Sequence, residues 1–196
     1  NKLAASFSNL WRRVLFYTSL GAMTGFVRQM LDIRGQFEMT ERSMGALLGN
    51  FQKGSEIFKE IQANALKSPF SILELTDSAK QLIAYNFAAN EVVDTTKRLA
   101  DISSALGVSM ERLVYNTGQI KAKGFLDARD ARDYANAGFG ITRMLAEMYT
   151  EQKRLGDRAV TTSDVMDMMT KKLVSYKDVM NVINRATNEG GMFFDF

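Results

Sequence analysis

The sequence predicts an all-α protein, a compact multi-helix module of about eight or nine helices joined by short loops. Three observations carry this. The 196-residue chain has a single proline, Pro69, and proline is the residue that most strongly interrupts helices. Apolar residues recur at spacings of three and four along nearly the whole length, the period of one helix face. Helix-stop glycines and helix-start Ser, Thr or Asp residues recur between these stretches, with no convincing strand pattern.

The elements follow in order. Leu3 to about Leu31 aligns Leu3, Phe7, Leu10, Val14 and Tyr17 on one face. Gly21 and Gly25 form a GxxxG within the uncharged run Val14 to Val27. That run is too short to cross a bilayer, which needs roughly 20 residues, so a soluble helix crossing or a kink is favoured over close helix packing in a membrane. From Gly35 the pattern continues through Phe37, Met44 and Leu47 to a stop at Gly49-Asn50. Phe51 to Leu66 places Phe51, Phe58, Ile61 and Ala65 together and ends at Lys67-Ser68-Pro69-Phe70, because the residue before a proline is pushed out of the α region. Ser71 with Glu74 forms a capping box for a helix buried through Ile72, Leu75, Ala79, Leu82 and Ile83.

The next helix, about Asn90 to Leu106, aligns Val92, Thr96, Leu99, Ser103 and Leu106 and ends at Gly107. Ser109 caps a helix carrying Met110, Leu113, Val114, Thr117 and Ile120. Gly118, Gly124, Gly138 and Gly140 weaken the signal around a short Asp127–Asn136 helix. Ile141, Leu145, Met148 and Tyr149 begin another, and Gly156-Asp157 marks a loop. Thr162 or Ser163 caps the turn with Val165, Met169 and Leu173. Ser175 with Asp178 opens a last helix carrying Tyr176, Val179, Met180, Ile183 and Ala186, which Gly190-Gly191 ends. A soft boundary near Gly49-Asn50 divides an N-terminal helical segment, 1–49, from a module over 50–196. The apolar Phe193-Phe194-Asp195-Phe196, past the last stop, reads as an interface, and the chain as a fragment of a longer helical one.

Composition narrows function more by exclusion. Histidine and cysteine are both absent, which removes the commonest general base, the commonest metal ligand and all thiolate chemistry. Basic and acidic side chains nearly balance, 25 against 22, so no specific nucleic-acid partner is expected. Asp127, Asp130 and Asp133 lack the D-x-D-x-D-G pattern of a calcium loop and suit a salt-bridged helix face. Glu147 and Glu151, neighbours on one face, do not flank a cleft as glycosidase carboxylates do. The glycines match no phosphate-binding motif. Lys121, Lys123, Arg129 and Arg132 beside Phe125 are interleaved with aspartates that cancel their charge. The sequence therefore assigns no catalytic residue, no cofactor and no metal ligand.

Several stretches, in order, resemble one family. They are Gly35-Gln36-Phe37-Glu38, Met44-Gly45-Ala46-Leu47-Leu48-Gly49, Lys67-Ser68-Pro69-Phe70 and Ala79-Lys80-Gln81-Leu82-Ile83-Ala84-Tyr85. Leu99-Ala100-Asp101-Ile102-Ser103, Leu113-Val114-Tyr115 and Gly118-Gln119-Ile120-Lys121-Ala122-Lys123-Gly124 follow, then Tyr176-Lys177-Asp178-Val179 and Asn188-Glu189-Gly190-Gly191-Met192-Phe193. Together they resemble the N-terminal region of tape measure proteins of long-tailed phages and prophages. The chain departs from that pattern at Ala131 to Gly140, where the family commonly has a Gln- and Gly-rich turn with a proline.

The resemblance implies a structural and assembly protein of the tail: a ruler that occupies the tube lumen, sets tail length and assists genome ejection. It implies a place in the virion tail, at the lumen or tip, after assembly in the host cytoplasm. The implied partners are the tail tube protein, tail-tip or baseplate proteins, tail assembly chaperones, further copies of the chain, and transiently the host membrane. Some relatives carry peptidoglycan-cleaving domains, which none of these stretches resembles. A helical adaptor of a related contractile or secretion apparatus, or a membrane-active helical module, is the alternative. Fully helical, the chain would span about 290 Å at 1.5 Å per residue. The interruptions at Gly49, Pro69, Gly107, Gly124, Gly140 and Gly156 predict instead a folded module attached to the ruler.

Overall fold

A computed structural model describes residues 34–196. The expected Leu3–Leu31 helix, with Gly21, Gly25 and the Val14–Val27 run, lies outside the described residues. Within them the chain is an all-α module of nine helices. They are α1 (34–47), α2 (Phe51–Ala65), α3 (Ile72–Ala84), α4 (Ala89–Leu106), α5 (Met110–Lys123), α6 (Ala128–Asn136), α7 (Ile141–Glu151), α8 (Thr162–Thr170) and α9 (Tyr176–Thr187). The exception to helix is a four-residue exposed strand, β1 (Arg154–Asp157), where the sequence indicated only a loop. Among the described residues no helix is long and apolar enough to cross a membrane.

Local chemistry sets the helix starts. Asn50 and Ser109 accept a hydrogen bond from the third residue of α2 and α5 through their side chains. Ser71, Asp127, Thr161 and Ser175 each form a capping box with an acidic residue three positions on. The cap of α8 is thus Thr161, one residue before the expected Thr162, and Asp164 accepts from its backbone N–H at 2.8 Å. Gly107 and Gly124 end α4 and α5 in the left-handed conformation, with φ of 65° and 82°.

The central helix α4 packs against α2, α3, α5 and α9, while α7 packs against α6, α8 and α9. Leu82, Leu99, Leu113, Ile120, Phe139 and Tyr149 are fully buried at these contacts. Tyr134 is also buried, and its hydroxyl meets that of Thr117 at 2.7 Å. Burial pushes the Tyr134 phenol pKa upward. Two loops are stitched together as well. Leu126 donates to the Val174 carbonyl at 2.8 Å and Tyr176 to that of Gly124 at 3.0 Å, so the α5–α6 and α8–α9 connections form an antiparallel bridge.

The helix faces depart from expectation at a few points. Phe51 stands at the first position of α2 and is 67% exposed. Its ring lies against Gly45, and the buried face of α2 is Gly54, Ile57, Phe58 and Ile61. Leu173 lies beyond the end of α8 and is exposed. Gly118 does not break its helix: it sits inside α5, where an added Cβ would fall within 2.1 Å of the Tyr85 ring. The turn at Gly49-Asn50 folds α1 back on α2 so closely that a Cβ on Gly54 would lie 2.4 Å from the Gly45 nitrogen. The Phe37 and Phe58 rings meet edge to face beside this crossing.

Candidate functional site

Several of the charged residues singled out in the sequence make capping and ion-pair contacts. Asp127 caps α6, and its carboxylate accepts from the backbone of Arg129 and Asp130. Lys123 reaches both Asp127 and Asp130. Its ammonium neutralises the pair from the C-terminal turn of α5, where a cation also suits the helix dipole. Among the described residues no group of three or more potential ligands comes together to hold a metal ion.

Glu147 pairs with Arg143 one turn away, and Glu151 accepts two hydrogen bonds from Arg185 across the α7–α9 contact. The two carboxylates therefore hold separate surface arginines. Lys121 is drawn inward, bonded to Glu91 at 2.9 Å and placed 4.5 Å above the Phe87 ring and 4.8 Å above that of Tyr176. Lys123 and Lys172 both approach the Phe125 ring. The two lysines of the basic cluster are thus engaged by carboxylates and aromatic faces, while Arg129 and Arg132 are exposed.

The C-terminal aromatic residues divide. Phe193, expected at an interface, is only 6% exposed. Its ring packs 6.0 Å from that of Phe139, and its N–H donates to the Ala186 carbonyl at 2.7 Å. Gly191 makes this return possible, since a Cβ there would lie 2.5 Å from the Arg185 carbonyl oxygen. Phe194 and Phe196 remain exposed.

Asp101, which periodicity alone does not flag, is the unusual titratable group. It is 7% exposed on α4, and its Oδ2 has no hydrogen-bond partner. Burial pushes its carboxyl up to about 6; Lys97 opposes the shift and Asp195 adds to it. Thr96 Oγ1, five residues earlier on α4, is also buried without a partner. Both residues line a small cavity of about 40 Å³ against Ile61 and Leu75, with Asp195 and Phe196 at its edge.

A cleft of about 710 Å³ runs between α3 and the start of α5. Glu74, Asp77 and Glu111 line it beside Phe70 and Met110. No protein-family model, curated protein or solved structure matches the chain.

Proposed function

We propose that this chain is a helical module of a phage tape measure protein, a structural and assembly component of the tail. One observation carries the reading. The stretches that resemble the family fall on the packing joints of a single unit. Tyr85, closing one stretch, covers Gly118, which opens another. Asn188, from the last stretch, accepts from Arg98 on α4 at 2.7 Å. Gly191 and Phe193 from the same stretch fold back onto α9 and Phe139. Ser103 donates to the Val108 carbonyl and closes the α4–α5 turn.

The physical case for a module rather than a rod agrees with this. Among the described residues, nine helices, with left-handed Gly49, Gly107, Gly124 and Gly138 following α1, α4, α5 and α6, bury one another's apolar faces. A ruler would need a continuous helix elsewhere in the protein, to which this unit attaches as anchor or initiator at the tail tip.

Cross-linking of purified tails followed by peptide mass spectrometry tests the proposal. Peptides of 34–196 joined to tail-tip or tube proteins are the expected outcome. Tails that lack these peptides would overturn the reading, and the adaptor reading would then take its place.

A further inference from the structure

The two ends of α5 present surfaces of opposite charge. At its start, Glu74, Asp77 and Glu111 line the cleft of about 710 Å³ against Lys80 alone, which leaves two negative charges in excess. Phe70, Val108 and Met110 give this cleft an apolar wall. Arg112 lines an adjoining hollow beside Tyr115 instead.

From there α5 runs 14 residues, about 20 Å at 1.5 Å per residue, toward the antiparallel bridge between Phe125 and Ser175. Beside that bridge the α8–α9 turn carries Lys171, Lys172 and Leu173, with Lys177 on the first turn of α9, all exposed. Asp167, one turn before Lys171, offsets one of these charges, and Asp178 is turned to Ser175 and Arg154. Two positive charges are thus in excess. Leu173 is 55% exposed although the chain on both sides of it is fixed. Its own N–H donates to the Met168 carbonyl at 2.8 Å, and the carbonyl of the buried Val174 accepts from Leu126. Lys172 rests 5.1 Å over the Phe125 ring and ties the turn to the bridge. A leucine held out into water on a rigid turn loses little freedom when it is covered, so its burial against an apolar wall is favourable.

We propose that the Lys171–Leu173 turn of one copy of the chain seats in the α3–α5 cleft of a second copy. Leu173 meets the wall of Phe70 and Met110, and the lysines meet Glu74, Asp77 and Glu111. Turn and cleft stand at opposite ends of one helix, so the occupant comes from another molecule. The contact is heterologous: one surface gives, a different one receives, and each assembly keeps an unused turn and an unused cleft unless its rotation closes a ring. This contact does not rest on the tape measure reading.

Analytical ultracentrifugation of the full chain tests it. We expect association that grows with concentration and weakens as salt screens the charges. Two variants each alter one surface: Asp77→Lys with Glu111→Lys in the cleft, and Lys171→Ser with Leu173→Ser on the turn. All four side chains are exposed, so the fold is retained. Each variant alone should associate at least tenfold more weakly than the native chain. Mixed in equal amounts, they should recover the native affinity and stop at a heterodimer, since one supplies an intact turn and the other an intact cleft. A native chain that stays monomeric up to about 1 mM, or a mixture that associates no better than its components, would overturn the inference. So would association of native strength in either variant alone.

Discussion

Replacing Gly54 with Ala tests the packing account at its tightest point. In an ordinary helix interior this change would stabilise the protein by about 0.8–1.0 kcal/mol, because glycine is the poorer helix former. Here the new methyl would lie 2.4 Å from the Gly45 nitrogen and 2.5 Å from its Cα. Both are backbone atoms of α1, so no side-chain rotation relieves the contact. The α1–α2 hairpin must open by about 1 Å, at an overpacking cost of about 1–3 kcal/mol or somewhat more. The net expectation is destabilisation by about 1–2 kcal/mol, a fall in Tm of roughly 3–8 °C for a chain of this size. Thermal unfolding followed by circular dichroism measures it. Limited proteolysis near Gly49 should quicken in the same variant. A Tm that rises by 2–4 °C, as helix propensity alone requires, would refute the close crossing.

Three further outcomes follow from the same structure. Gly118→Ala should destabilise, but less when combined with Tyr85→Ala, giving a coupling of about 1 kcal/mol or more in a double-mutant cycle. Ser175→Ala removes the side-chain half of the α9 capping box and should cost about 1 kcal/mol in chemical denaturation. Asp101→Asn should flatten the dependence of global stability on pH. The native carboxyl binds its proton more tightly folded, at about 6, than unfolded, near 3.8, so native stability falls as pH rises through that window. At pH 7 the variant should be more stable by about 1–2 kcal/mol, the ceiling being reduced for partial solvation. An unchanged pH profile would count against the burial of Asp101.

Helix starts were legible in the sequence wherever chemistry is local. Ser71 with Glu74 and Ser175 with Asp178 need only residues three apart. Gly107 and Gly124 likewise mark their own left-handed turns. Interior faces were legible where the apolar period is unbroken, as in α5. Periodicity could not distinguish Phe51, at a helix start, from a residue one turn further in. Nor could it show that Gly45 and Gly54 meet, that Gly118 sits beneath Tyr85, or that the loops at Leu126 and Val174 pair, since these depend on contacts distant in the chain. Asp101 was hidden for a related reason. A charged residue at a helix position looks solvated until α2, α3 and the C-terminal tip are seen around it. The burial of Phe193 is not legible from its position because a glycine pair signals where a helix ends but not that the chain then turns back.

Tail length bears most directly on the central claim. On the proposed tape measure reading, in-frame deletions are made in the ruler region of a tape measure protein that contains 34–196 intact, and tails are measured by electron microscopy. The account predicts shortening in proportion to the residues removed, about 1.5 Å for each if the ruler is helical. Tails of unchanged length, assembled with the shortened protein present, would contradict it.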